Sequence, residues 1–375
     1  MAQWLRLVKI SALIISMLST IVMLSACSEP ANSLKSNSST GMYGGLLDQE
    51  NFSSAKATEQ TPITFPQDHL SHPEFAIEWW YLTANLFDKQ GNQYPLQWTL
   101  FRFSGGGNQS NWSNGQLYMS HGKLSSYKQD WFEEIFARGG VGNAGVSLAA
   151  ESGHFEAYLD NWIWRSLSTE LFPATLNFTL NEQVKLSLNM RATGPYVLNG
   201  NKGYSIKLAN GQHASMYYSQ PFINISGTIE RLGETIDVSG KGWFDHEWSA
   251  GLSDQKTQGW DWFSIHFDDG RKLMLYQVRH RELGNSWFGS LISPQGDKTH
   301  LTKNDIQGSI DGYSKVDSVQ IPLNWSLSVP QQQIHIRVSP FKQNQYNPGV
   351  FPYYEGAIRV EGSHKGIGFM ELTGY

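Results

Sequence analysis

From Glu78 the chain alternates apolar and polar residues through Trp79, Trp80, Tyr81, Leu82, Thr83, Ala84, Asn85 and Leu86. It then crosses the polar stretch Asp88-Lys89-Gln90-Gly91-Asn92 and alternates again from Tyr94 to Phe103. A two-residue period on both sides of a turn-forming stretch predicts a β-hairpin. Comparable pairs are predicted for His154 to Leu159 with Trp162 to Leu167, Leu176 to Leu180 with Val184 to Met190, and Ile223 to Glu230 with Thr235 to Gly240. The pattern restarts at Trp262 to Phe267, turns at Asp268-Asp269-Gly270, returns over Lys272 to Arg279, and closes with Tyr353 to Val360 and Gly366 to Tyr375. Nothing between these pairs has the length and 3.6-residue period of a long helix.

Two of these stretches repeat. Gly240, Gly242, Trp243 and Asp245 form G-x-G-aromatic-x-acid, and Gly366, Gly368, Phe369 and Glu371 form it again at the C-terminus. Asp261-Trp262-Phe263 has a counterpart in Glu78-Trp79-Trp80-Tyr81. Each unit therefore opens on an aromatic hairpin and ends on a glycine-bearing strand, which is one duplicated plan with longer loops in the first copy. A meander whose first and last strands carry matching signatures closes most simply on itself, removing its edges. The expectation is an all-β protein of two tandem antiparallel β-barrel domains, 62–250 and 251–375, joined through the polar run Ser249 to Gln258.

Composition agrees with this and narrows the partners. The chain has 375 residues, 40% of them hydrophobic, and 13% aromatic, with 36 glycines, as expected of short strands and turns. Charged residues make up 16% and the net charge is −5, so no basic face for nucleic acid is expected. Arg6 and Lys9 precede an apolar run from Ile10 to Leu24 that is too short to span a bilayer comfortably, which reads as a targeting segment. Leu24-Ser25-Ala26-Cys27 resembles the lipobox of bacterial lipoproteins, so residues 1–27 are expected to be a signal peptide with Cys27 as the lipidation site. Residues 28–61, rich in Ser, Asn, Gln and Gly, then form a flexible tether. Ser28 after that cysteine points to the outer membrane, facing the periplasm. Cys27 is the only cysteine, so the mature domain has no disulfide, thiol nucleophile or thiolate metal site.

The densest chemistry lies in Gly240 to Phe263. On a strand Trp243, Asp245 and Glu247 point one way, and Phe244, His246 and Trp248 the other. A histidine between rings is driven towards its neutral form, and a carboxyl in the same setting is held protonated. Such an acid can protonate an alkene, and aromatic faces can stabilise the cation before water adds. The catalytic candidates are Asp245, His246, Asp261 and Tyr276, and the ligand-binding candidates are Glu78, Trp80, Trp243, Glu247, Trp248, Trp260 and Trp262. No cofactor or metal is expected, because His246-Glu247-Trp248 lacks the second histidine of a zinc-protease helix. No G-x-S-x-G nucleophile elbow occurs. The Gly140, Gly142, Gly145 spacing has no strand before it and helix after it, as a dinucleotide site would need.

Five ordered motifs together resemble the AttH-like family: Phe65-Pro66-Gln67-Asp68-His69 with His72-Pro73, Glu78-Trp79-Trp80-Tyr81, Trp243 to Trp248, Gly259 to Trp262, and Tyr354 to Ala357 with Glu371 to Tyr375. This family also contains CrtC-type carotenoid 1,2-hydratases, and its secreted members are often labelled hydrolases. The resemblance implies two lipocalin-like barrels in tandem. In the hydratase branch the histidine and tryptophan of the central motif, matched by His246 and Trp248, work with a Tyr and an Asp from a later strand. Tyr276 is available there, but Gln277 and Val278 stand where an acid is wanted. The function expected is a lipid-anchored protein binding a hydrophobic small molecule, an isoprenoid, polyene or lipid, in an aromatic-lined pocket. The alternatives are a cofactor-free hydratase or isomerase of a polyene, and an accessory lipoprotein of an ABC-type exporter.

Overall fold

The computed structural model describes residues 54–375 apart from 106–109, 111, 209, 212, 252, 253 and 255. Cys27, the expected signal segment and most of the expected tether lie outside the described residues. The first sheet contains β1 (Ile77–Phe87), β2 (Gln93–Ser104), β3 (Gln116–Ser125), β4 (Asp130–Arg138), β5 (Ala144–Leu148), β6 (Phe155–Leu159), β7 (Trp162–Ser166), β8 (Ala174–Leu180), β9 (Val184–Ala192), β10 (Val197–Leu198), β11 (Tyr204–Ile206), β12 (Ala214–Arg231) and β13 (Glu234–Ser249). The second contains β14 (Thr257–Phe267), β15 (Lys272–His280), β16 (Ser286–Ile292), β17 (Lys298–Leu301), β18 (Gln307–Val316), β19 (Val319–Val329), β20 (Ile334–Pro340), β21 (Tyr346–Asn347), β22 (Tyr353–Gly362) and β23 (Gly366–Leu372).

Both sheets are antiparallel and barrel-like, so the all-β, tandem lipocalin-like class is the one observed. The first runs β4-β3-β2-β1-β13-β12-β9-β8-β7-β6-β5, the second β17-β16-β15-β14-β23-β22-β20-β19-β18. The end strands, β4 with β5 and β17 with β18, are not paired with each other, so the expected closed ladder is not made. Each sheet instead curls round its own apolar interior, with Leu82, Trp98, Trp164 and Phe244 in the first and Phe263, Leu275, Trp325 and Ile358 in the second.

A third apolar layer joins them, in which Tyr81 and Trp243 of the first sheet meet Trp262, Met274 and Phe369 of the second. Strands at this seam are covered on both faces, which removes the alternation seen elsewhere. β13 is buried at every position from Gly242 to Ser249, whereas the outer strand β9 alternates buried and open positions. Buried polar contacts cross the seam as well. Tyr81 Oη donates to Glu355 Oε1 at 2.8 Å, Gln97 Nε2 to Tyr353 Oη at 2.7 Å, and Ser290 Oγ to Asn199 Oδ1 at 2.9 Å.

The duplication is visible in the strand registers, with one correction. In the first sheet the closing strand β13 lies beside the opening strand β1, with Trp243 opposite Thr83 and Asp245 opposite Tyr81. In the second, β23 lies beside β14, with Phe369 opposite Ser264 and Glu371 opposite Trp262. Trp262 therefore takes the place of Tyr81, Asp261 that of Trp80 and Gly259 that of Glu78. Motif similarity sets Asp261 against Glu78, but ring-rich strands look alike when slid, and pairing partners fix the register.

The glycines of the repeat exist for close approach of these two strands. A Cβ at Gly240 would stand 1.9 Å from Asn85 O, and one at Gly368 1.9 Å from Ser264 O. Since the obstacle is backbone, a Gly368→Ala variant is expected to lose about 1–3 kcal/mol in urea unfolding. An unchanged unfolding midpoint would show that the two strands can part without cost.

Candidate functional site

The predicted alternation of β13 holds, and it sends the candidate residues into separate compartments. Trp243, Asp245 and Glu247 face the second sheet, while Phe244 and Trp248 join the interior of the first with His246 beside them. On β14, Trp260 and Trp262 face the first sheet, and Phe263 packs inside the second. Between the sheets lies a cavity enclosing about 830 Å³ of empty space, open solvent at its mouth included. Trp79, Tyr81, Tyr217, Trp260, Trp262 and Tyr276 put rings into its wall, with Asp245, Glu247 and Glu371 among them.

Its carboxyl groups are buried, and that sets their chemistry. Asp245 accepts hydrogen bonds from Trp243 Nε1 at 2.9 Å and from Ser219 Oγ, yet burial pushes its pKa up to about 7. Glu371 accepts from Trp260 Nε1 at 2.5 Å and is likewise pushed up to about 7 by burial. Directly across the β22–β23 ladder from Glu371 stands Glu355, raised well above the carboxylate range by burial and then by the charge of Glu371. Tyr81 Oη donates to Glu355 Oε1, while Oε2 accepts no hydrogen bond among the described residues. The side chains of Glu355 and Glu371 are also in hydrogen-bond contact, and two carboxyls so placed share a proton rather than both ionise.

The remaining carboxylate, Glu247, forms an ion pair with Lys207 at 2.6 Å. The Lys207 ammonium also lies 4.8 Å from the ring centres of both Tyr217 and Tyr276. His121 lies at another part of the wall, held by Tyr353 Oη at 2.9 Å and Glu134 at 2.7 Å, and burial lowers its pKa.

A second cluster sits behind β13, inside the first sheet. Glu78 Oε1 meets His72 Nδ1 at 2.6 Å and His246 Nε2 at 2.8 Å, while Glu78 Oε2 accepts from Arg102 Nε at 2.8 Å. Arg102 is fully buried, and its other donors reach the carbonyls of His72 and Phe75 and the side chain of Gln116. Trp248 stacks flat on His72 at 3.9 Å and Trp80 on His246 at 4.6 Å. Burial lowers His246 to about 4, so it is neutral, as two flanking rings predict. Burial also opposes charge on His72, but Asp68 and Glu78 outweigh it and raise it to about 9.

His72, Glu78 and His246 also place ligand atoms within 4.8 Å of one another, a set that could hold a metal ion. Separations of 2.6 and 2.8 Å on one carboxylate oxygen, with a guanidinium on the other, are those of charge-assisted hydrogen bonds. A cation there would have to displace the proton of His72 and face Arg102.

Asp261 occupies a third place. It is fully buried, pairs with Arg279 Nε at 3.2 Å and accepts from Tyr375 Oη at 2.7 Å, and burial raises it to about 6. The four residues expected to act together are thus divided: Asp245 and Tyr276 share the cavity, His246 lies behind β13 with Glu78, Trp80 and Trp248, and Asp261 is apart from both. Glu247, Trp260 and Trp262 do reach the cavity, and Trp243 holds Asp245. Residues not singled out from the sequence are Glu355, Glu371, Tyr81, Tyr217 and Lys207. Glu371 carried a signal, since it repeats the position of Asp245; Lys207 carried none.

Two curled antiparallel sheets with an acid-lined cavity between them define an all-β protein of the tandem lipocalin-like class. The chain belongs to the AttH-like family, whose model matches residues 56–375. It is similar to the crystal structure of a protein assigned as AttH from Nitrosomonas europaea, with 28% identity and a TM-score of 0.76, over 86% of this chain and 99% of that one. It also shares its fold with kievitone hydratase from Nectria haematococca, with 15% identity and a TM-score of 0.62, over 86% of this chain and 96% of that one. Among curated proteins none matches the sequence.

Proposed function

We propose that this protein binds an apolar, unsaturated small molecule between its sheets and acts on it by proton transfer without a cofactor, as a hydratase or isomerase. The observation that carries this reading is the pair of carboxyls, Asp245 and Glu371, whose pKa values are raised to about 7 in a wall of tryptophan and tyrosine rings. A protonated acid of this kind gives its proton to one alkene carbon as the π electrons form the new C–H bond. The cation left on the other carbon faces indole and phenol rings, each worth about 0.5–2 kcal/mol. Water then adds through oxygen and gives its surplus proton to a carboxylate; loss of a neighbouring proton instead moves the double bond. A kievitone hydratase built on this fold is in keeping with such chemistry. Lipidation at Cys27 would place the cavity beside a membrane of the cell envelope, where apolar substrates partition.

The test is to incubate the purified protein with a panel of polyenes and isoprenoids in isotopically labelled water. Quenching of tryptophan fluorescence reports binding, and mass spectrometry reports gain of one water or exchange of a carbon-bound hydrogen. Binding with neither product would leave a carrier and sink the catalytic part. A panel that leaves the fluorescence unchanged would sink both.

A further inference from the structure

Lys207 belongs to two cavities. Besides the acid-lined one it borders a cleft enclosing about 890 Å³ of empty space, open solvent included, with Met274, Trp287, Phe288, His300 and Lys303 in its wall. The cleft and the cavity share Lys207, and the rings of Tyr276 and Phe288, 4.7 Å apart, lie one on each side of that partition.

The two spaces differ in sign. The inner cavity carries Asp245, Glu247 and Glu371. Among the described residues the outer cleft carries Lys207 and Lys303, with the imidazole of His300 beside them, against one carboxylate, Glu59, in a chain whose net charge is −5. Lys298 adds to this field, because its ammonium group binds the carbonyl of Gly200, a residue of the cleft wall, at 2.7 Å. His300 is lowered first by burial and then by the charge of Lys298, with Asp305 acting the other way.

Lys207 itself is built in rather than draped on the surface. Its side chain is 3% exposed, its backbone N–H donates to His213 O at 2.8 Å, and its ammonium rests on Tyr217, Tyr276 and Phe288. Glu247 Oε1 approaches it at 2.6 Å, yet among the described residues that oxygen accepts no well-aligned hydrogen bond. A buried ammonium with rings on three sides and one poorly aligned carboxylate can bind a second anion strongly, because little water competes there.

We infer that the molecule taken between the sheets is an amphiphile: an unsaturated apolar body lies in the acid-lined cavity and an anionic head group is held by Lys207 at the mouth of the basic cleft. This rests on the proposed function above and adds the polarity and orientation of the ligand. Anchoring the head at Lys207 would fix which double bond reaches Asp245 and Glu371, since both line the same cavity as Lys207.

The decisive probes are cis-parinaric acid and its methyl ester, polyenes that fluoresce on leaving water and differ only in the head-group charge. Titrated into the full chain at neutral pH, the acid is expected to bind about tenfold tighter than the ester or better. Lys207→Met should abolish that preference, so that acid and ester bind alike. Lys303→Met, on the cleft wall, should reduce the preference about two- to threefold and weaken its dependence on salt. Equal binding of acid and ester to the unaltered protein, or a parallel loss of both in a folded Lys207→Met variant, overturns the inference while leaving the cavity reading intact. Failure of both probes to bind overturns the two together. The comparison on unaltered protein needs no variant to fold.

Discussion

A Glu78→Leu variant is expected to lose about 3–5 kcal/mol of stability, the largest loss predicted for any single substitution here. The reason lies in what it leaves behind. Glu78 and Arg102 are both fully buried, and removing the carboxylate strands a guanidinium that no water reaches. It also takes from His72 and His246 the oxygen they share. The double variant Glu78→Leu with Arg102→Leu removes both charges and should recover a large part of the loss, because apolar pairs of similar volume replace buried ion pairs at little cost. Urea unfolding of the three proteins checks this; a single variant within about 1 kcal/mol of the unaltered protein would refute the account.

The same cluster makes stability depend on pH in two windows. His72 is raised from 6.5 to about 9, so its contribution is complete below pH 6.5 and is lost as pH rises through about 9. Glu78 and His246 act on the acid side. Glu78 is lowered, since His246, His72 and Arg102 together outweigh its burial, so its contribution is present above its ordinary pKa of 4.5 and is lost as pH falls below that. His246, lowered to about 4, costs stability as pH falls from 6.5, where its unfolded counterpart takes up a proton first.

Asp245→Asn and Glu371→Gln are each expected to lower turnover by about 10²–10⁴ while leaving binding of an apolar ligand nearly unchanged. Both substitutions keep the shape and remove the transferable proton. The active form is the protonated one, so the rate in the unaltered protein should fall as pH rises through about 7. Stability supplies an independent reading of the same groups. Asp245 is raised from 3.8 to about 7, so the folded state holds a proton that the unfolded chain releases; its contribution is lost as pH rises through about 7. Asp245→Asn should therefore flatten that decline and stand higher, relative to the unaltered protein, at alkaline than at acid pH. His246→Gln and Asp261→Asn lie outside the cavity and, where folded, should keep most of their turnover. Full activity in both carboxyl variants, or its loss in the two outer variants alone, would move the chemistry from the inter-sheet cavity to the interior of a barrel.

The sequence by itself determined the opening and closing strands of each unit, the hairpins between them that carry a clear period of two, and the duplicated plan; β3, β4 and β16 to β20, whose patterns are weaker, it did not. The features it determined rest on period-two patterning and turn residues close together in the chain, and on G-x-G, whose meaning is local backbone clearance. It also determined that the two faces of β13 differ, and that a histidine between rings there would be neutral. It could not determine which face meets which compartment. At the seam both faces of a strand are buried, so hydrophobicity no longer separates inside from outside, and Asp245 and His246 look equally central though they lie on opposite sides. Nor could it bring Glu355 to Tyr81, or Lys207 to Glu247 and Tyr276, since those contacts join residues from distant strands or from different sheets. Only the docking of one curled sheet on the other decided where the acids gather, because burial from both sides is what keeps their protons on.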